Sequence, residues 1–341
     1  MMTKFRGAVT AKAKGTAAGP LRRWAAAVCI LAASGFFGAA DVAAEKVRVA
    51  MPSKSMTFLS FYVADRFGLF RAEGLEVSLE VMKSDIGVAA VISGQVDYIT
   101  AIGTTLRAAA AGVPLKAAMF TMDRVIFFLT ARPEIQTIQD LKGGKSVAVS
   151  GVVATDAYGA RLMAKAAGLN PDKDLVLVAI PDAGDRLTAL QTGSVAASML
   201  SIPFNFKAEE TGLRNLGGTA DVMRTPFAGL GASETKLRSN PSQVRRMIRA
   251  TLKGMEYTQD PTNFARVVSY LMEEFKIDRK TAELSHREIL KAFTKDGTTP
   301  DETVKEEIEL IRAQGKIKEQ VQLGQVLDYT LLKEALAEMK R

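Results

Sequence analysis

Two stretches ninety-nine positions apart, VISGQVDYI at 91–99 and LQTGSVAAS at 190–198, share one grammar: a helix ends, a glycine follows, and a short strand begins. Gly94 answers Gly193, and Val96 answers Val195. A glycine at that point permits the left-handed turn that stops a helix. Around each unit apolar strands alternate with helical segments. Strands are read at 46–51, 75–82, 97–101, 115–122 and 125–131, with helices at 57–67, 86–93 and 104–110 closed by Gly68, Gly94 and Gly112. The pattern restarts with a strand at 145–150 and a helix at 155–167 stopped by Gly168; a strand at 174–180, a helix at 185–192 stopped by Gly193 and a strand at 195–200 follow. Such alternation is the form of a parallel sheet covered by helices, and its double use implies an α/β chain with two similar lobes. From about residue 240 the sequence reads as helices alone. No linker rich in Pro, Gly or Ser separates the units, and a chain of 341 residues is long enough for about two domains.

The net charge of +8 is unevenly placed. Lys4, Arg6, Lys12, Lys14, Arg22 and Arg23 stand against Asp41 alone in the first 44 residues, which leaves +3 for the remainder and gives a nucleic-acid-binding face little support. The same segment carries the apolar run WAAAVCILAASGFFGAA and small residues at Val42 and Ala44, an export signal suited to cleavage before Glu45. An uncleaved membrane anchor is the alternative, which the short, alanine-rich run does not favour. Arg22-Arg23 leaves Sec and twin-arginine export both open.

Removal of residues 1–44 takes away Cys29 and Trp24, the only cysteine and tryptophan. Disulfides, thiol chemistry and His/Cys metal sites are thereby excluded from the mature chain, and no cofactor is expected. A catalytic triad would have to rest on the lone His286, which sits in AELSHREIL with helical spacing and reads as a helix-surface or packing residue. GGKS at 143–146 ends like a phosphate-binding loop, but Gln139 stands where its first glycine belongs and a strand, not a helix, follows. GLGASE at 229–234 lacks the third glycine of a dinucleotide fingerprint and reads as a strand edge and turn.

Several longer stretches carry a family likeness. YVADRFGLFRAEGLEVSLEV at 62–81, VISGQVDYITAIGTTLRAAAAGVPLKAAM at 91–119, the run 138–171 and LQTGSVAASMLSIPFNFKAEETG at 190–212 resemble the substrate-binding proteins of ABC importers for nitrate, sulfonates and taurine, and the related NMT1/THI5-like group. The likeness covers roughly 45–240, with one departure: Ala196 stands where the family often has Asp. It implies a two-lobed type II periplasmic binding protein with a helical C-terminal region, its segments being a signal peptide at 1–44, the first lobe at 45–125, the second at 126–224, and a return to the first lobe with C-terminal helices at 225–341. It further implies a periplasmic monomer that passes a small-molecule ligand to an inner-membrane ABC permease, without catalysis and without nucleic acid. Some thiamine-pyrimidine relatives are synthases that depend on a cysteine-rich motif and an active-site histidine, neither of which this chain offers. A LysR-type effector domain would need a DNA-binding motif where the signal stands.

In open α/β sheets, ligands bind beyond the carboxyl ends of the strands. The loops there nominate Ser53, Lys54, Ser55, Thr57, Ser84, Asp85, Gly103, Thr104 and Thr105 in the first lobe. In the second they nominate Ser150, Gly151, Thr155, Asp156, Asp182, Ser201, Pro203 and Asn205. Thr104 and Thr155 stand where helices are read to begin, and each suits either an anionic ligand at the free N–H groups or simple N-capping. Asp85 and Asp156 fit a ligand amino or ring N–H better than an anion. Phe58 and Phe61 have the spacing of core residues and also suit the flank of an apolar ring.

Overall fold

Backbone hydrogen bonding in the computed structural model gathers the strands into two sheets; residues 44–340 are described except Arg224, 314–316, 318 and 319. The expected signal segment therefore lies outside the described residues but for Ala44. Among the described residues no helix is long and apolar enough to cross a membrane. The first sheet begins with β1 (Glu45–Met51), β2 (Leu75–Val81), β3 (Tyr98–Ala101) and β4 (Leu115–Met122). The second holds β5 (Phe127–Ala131), β6 (Lys145–Val149), β7 (Leu175–Ala179), β8 (Ala197–Ser201) and β9 (Arg214–Gly218), after which β10 (Ala228–Ser233) returns to the first. The orders, β2-β1-β3-β10-β4 and β7-β6-β8-β5-β9, are the same topology used twice.

The repeated glycine units occupy equivalent places in that topology. Gly94 and Gly193 have φ of 74° and 77°, in the left-handed region that ends each helix. The strand that follows then pairs in parallel with the first strand of its α/β pattern, Tyr98 opposite Val49 in one sheet and Ala197 opposite Val147 in the other.

Neither sheet is wholly parallel, which corrects the reading from periodicity. β10 runs antiparallel between β3 and β4, and β5 runs antiparallel between β8 and β9. Both are the strands by which the chain changes sheet, and each enters its new sheet from the cleft end, so it must run opposite to its neighbours. GLGASE is accordingly an interior strand rather than an edge. Its composition hides this, because glycines replace the β-branched residues that mark strands. A Cβ at Gly229 would lie 2.1 Å from the Met119 carbonyl, so the close approach of β10 to β4 depends on that glycine.

The C-terminal helices close over the first lobe. Helix Pro241–Gln259 buries Val244, Met247, Ile248 and Met255 along one face and lies against helix Leu59–Arg66. Phe61 is fully buried in this core. His286, on helix Arg279–Leu290, is buried edge-on to Phe264, with Nε2 2.9 Å from the Thr258 carbonyl. Burial lowers its pKa from 6.5, and the Thr258 carbonyl opposes that shift only in part. The folded chain thus prefers the neutral ring: the stabilisation is present above the unfolded value and is lost as pH falls through the lower folded one. Because this is the only histidine in the chain, thermal melts at pH 7.5 and 5 should show a smaller acid loss in His286→Gln than in the wild type. Equal losses would reject this account.

Candidate ligand-binding site

Between the two sheets lies a small cavity of about 20 Å³. Its wall comes from the carboxyl ends of β1, β3 and β6 and from the amino ends of the two inverted strands, because inversion brings those to the same edge. Pro52, Ser53, Ser55, Thr57 and Phe58 follow β1; Ser84 opens the helix after β2; Ala101 and Thr104 follow β3. Ser150, Ala154, Thr155 and Asp156 follow β6, and Phe127 and Phe227 stand at the starts of β5 and β10. These two rings meet edge to face, their centroids 5.0 Å apart.

The polar groups on this wall are already organised. Ser55 Oγ lies 2.9 Å from Thr57 Oγ1 and accepts from the Thr57 N–H, capping the turn Met56–Phe58. The fully buried Asp156 carboxylate accepts from the Ser150 N–H and hydroxyl at 2.6 and 2.8 Å and from the Ala157 N–H at 2.9 Å. It is thus spent on holding its own loop, and the notion of a free carboxylate awaiting a ligand amine does not fit.

Thr104 and Thr155 meet across the cleft through a residue the sequence reading passed over. Arg107, on helix Ile102–Ala110, donates from one Nη2 to Thr104 Oγ1 at 3.2 Å and to Thr155 Oγ1 at 2.9 Å. Its Nη1 reaches Glu307 Oε1 at 3.2 Å, and Glu307 Oε2 accepts from the Thr225 hydroxyl at 3.0 Å, in the segment that leads into β10. Burial pushes the Glu307 carboxyl up and the Arg107 guanidinium down, and their mutual attraction opposes both shifts. Neither threonine is an N-cap. The first helix begins at Ile102, so Thr104 sits inside its first turn, and the second is capped by Ala154 without a side-chain bond.

A family model described as "NMT1/THI5 like" matches residues 55–263, more than half of the chain. The chain belongs to the NMT1/THI5-like family. This family member is 28% identical over 217 residues to the riboflavin-binding protein RibY of Chloroflexus aurantiacus, an alignment spanning 60% of the chain and 59% of that protein. Its fold is similar to that of the periplasmic nitrate-binding protein NrtA of Synechocystis PCC 6803, with a TM-score of 0.71, 12% identity and coverage of 86% and 89% of the two chains. It is also similar to the desulfurization enzyme DSZB, with a TM-score of 0.60, 15% identity and coverage of 86% and 99%. The fold therefore carries both binding and enzymatic members, and the residues must decide between them.

The remaining nominated residues of this NMT1/THI5-like chain lie off the cavity. Lys54 pairs with Glu274 at 2.5 Å in a partly exposed bridge, and Asp85 is exposed. Thr105 is buried and bonds the Ala101 carbonyl at 3.1 Å, while the half-buried Gly151 accepts from the Ala154 N–H at 2.9 Å. Asp182 caps helix Ala183–Gln191 through the Gly184 and Asp185 N–H groups at 2.7 and 3.1 Å. Ser201 ends β8 and Pro203 and Asn205 follow it, all buried, on either side of Ile202, whose carbonyl accepts from the Met56 N–H of the first lobe at 3.1 Å. Gly103 faces the second lobe so closely that a Cβ would lie 2.5 Å from Thr155 Oγ1. Phe127, Phe227, Arg107 and Glu307 were not nominated; only the isolated arginine in TTLRAAAAG could have drawn notice.

Proposed function

We propose that this protein is the periplasmic solute-binding component of an ABC importer and captures a polar, planar heterocycle between its lobes by hinge closure, without catalysing a reaction. The lining of the cavity carries this reading: hydroxyls of Ser53, Ser55, Thr57, Ser84, Thr104, Ser150 and Thr155 stand with three phenylalanines and the internally bonded Asp156, and among the described residues no lysine, arginine or histidine lines it. Aromatic rings and neutral hydroxyls suit a flat, uncharged, hydrogen-bonding ring. An anion would call for an available cation, and Arg107 at the margin is committed to Glu307 and the two threonines. The name of the riboflavin-binding relative points the same way.

About 20 Å³ accommodates roughly one water, whereas small-molecule sites occupy some hundreds of Å³. Ligand entry thus needs the lobes to part about the two segments that join the sheets, β4 to β5 and β9 to β10. Delivery to an inner-membrane permease and action as a monomer belong to the same proposal. An enzymatic reading finds little support among the described residues: the cavity's one carboxylate, Asp156, is bonded to Ser150 and Ala157, and His286 is bonded to Thr258 and packed on Phe264.

Thermal-shift and calorimetric screening of the exported protein against riboflavin, thymine, taurine and nitrate tests the proposal. A ring compound should raise the melting temperature as RT ln(1 + [L]/Kd) requires. Stabilisation by taurine or nitrate alone would reject it.

A further inference from the structure

Four buried polar atoms on residues at or near the C-terminal end of β8 have no hydrogen-bond partner among the described residues: Asn205 Oδ1 and Nδ2, Ser201 Oγ and Arg186 Nη2. All three residues are wholly buried. Buried polar groups are satisfied in the great majority of cases, so such a cluster requires an explanation. It has none in the folding of the lobe itself: Asn205 caps nothing, since helix Phe204–Glu210 begins after Pro203 without a side-chain cap bond.

The cluster is drawn together by contacts around it. Arg186 crosses the ends of two strands, donating from Nε to the Met199 carbonyl at 3.0 Å and from Nη1 to the Ile180 and Pro181 carbonyls at 2.8 Å each. These bonds fix the guanidinium just before Ser201, the last residue of β8. The Phe204 ring lies 3.5 Å from the Cβ position of Gly184, so the helix that carries Asn205 starts against the helix that carries Arg186. The corner also faces the other lobe, because the Ile202 carbonyl bonds the N–H of Met56, and Met56 stands between Ser55 and Thr57 on the cavity wall.

We infer that Asn205, together with Ser201 and Arg186, forms the polar end of the ligand site and reads a cis-amide edge, an N–H next to a C=O, on the heterocycle. The inference rests on the heterocycle reading above and names the edge of the ring that is recognised. The chemistry follows from the side chain. An asparagine amide presents an acceptor beside a donor, and a ring carbonyl next to a ring N–H presents the complement. The Arg186 Nη2 and Ser201 Oγ donors suit a second carbonyl of an imide. Nitrate or a sulfonate offers acceptors only and would leave Asn205 Oδ1 unsatisfied. When the lobes part, Met56 leaves Ile202 and this corner joins the floor of the cleft.

Calorimetry with riboflavin, and with its N3-methyl derivative in which the imide N–H is blocked, tests the inference. The wild type should bind riboflavin and lose at least about tenfold in affinity for the methylated compound, since a buried acceptor is then left unpaired. Asn205→Leu should lose a similar factor for riboflavin and then no longer distinguish the two compounds. Equal binding of both compounds by the wild type would overturn the inference and leave the heterocycle reading standing, and this arm needs no variant to fold. Unchanged riboflavin affinity in Asn205→Leu, with a higher melting temperature of the free protein, would overturn it in favour of a purely water-filled corner. If the wild type binds neither riboflavin nor thymine but binds taurine or nitrate, the reading itself fails and takes the inference with it.

Discussion

Replacing Glu307 with glutamine will cost the protein about 3 kcal/mol of stability, the effect of leaving a buried charge without its counter-ion. The side chains of Arg107 and Glu307 are 9% and 1% exposed, so water cannot take the place of the lost carboxylate. Glutamine keeps the shape and a carbonyl acceptor but not the charge. Denaturant unfolding of the variant measures the loss. Arg107→Met combined with Glu307→Leu should recover most of it, because a buried ion pair and an apolar pair of similar volume often differ little. A midpoint for Glu307→Gln indistinguishable from the wild type would mean that Arg107 finds another counter-charge. One alternative is Asp156, whose field also acts on Arg107.

The position of this pair gives the prediction its functional interest. Thr225 bonds Glu307 from the segment that carries the chain back between the sheets, and Thr155 bonds Arg107 from the second lobe. One guanidinium and one carboxylate thus join the first lobe, the second lobe and a connecting segment. A loosened pair should change lobe closure as well as stability, whereas a bridge such as Arg48–Glu80, partly exposed, should change neither appreciably.

How much of this was legible follows from the range over which each feature is determined. A glycine-stopped helix is a local event, so the repeated units and the alternation around them could be read from short stretches. The inverted strands could not, because β5 and β10 owe their direction to the sheet from which the chain arrives, and β9 and β10 carry glycine where a strand pattern expects branched residues. At the site, hydroxyl loops after β1, β2, β3 and β6 were readable from their position at strand ends. The corresponding loops after β7 and β8 fall outside the cavity, since Asp182 is occupied as a cap and Ile202 is held against Met56. Arg107 was invisible for a plainer reason: its partners Thr155 and Glu307 lie 48 and 200 positions away, and no local pattern announces either.

Gly103→Val should wedge the cleft. In the present arrangement a Cβ at this position would stand 2.5 Å from Thr155 Oγ1 and 3.7 Å from Thr155 Cβ, with Arg107 Nη1 3.5 Å away. An alanine can be accommodated if the Thr155 hydroxyl turns aside and gives up its bond from Arg107, a loss of about 1 kcal/mol. Valine adds two methyl groups to the same space, and overpacking of that kind costs about 1–3 kcal/mol. The cost falls on the closed arrangement alone, because the contact crosses between lobes and is relieved when they part. Within helix Ile102–Ala110 itself valine is, if anything, better tolerated than glycine. Ligand-free stability should therefore change little, while affinity for whichever compound the screen identifies falls roughly ten- to a hundredfold, in proportion to the fraction of molecules able to close. Calorimetry reports the affinity, and small-angle scattering with saturating ligand should show the wild type contracting and the variant staying extended. Wild-type affinity in Gly103→Val would mean that the ligand-bound lobes do not meet at Thr155, and closure would have to be sought in a different relative orientation of the two sheets.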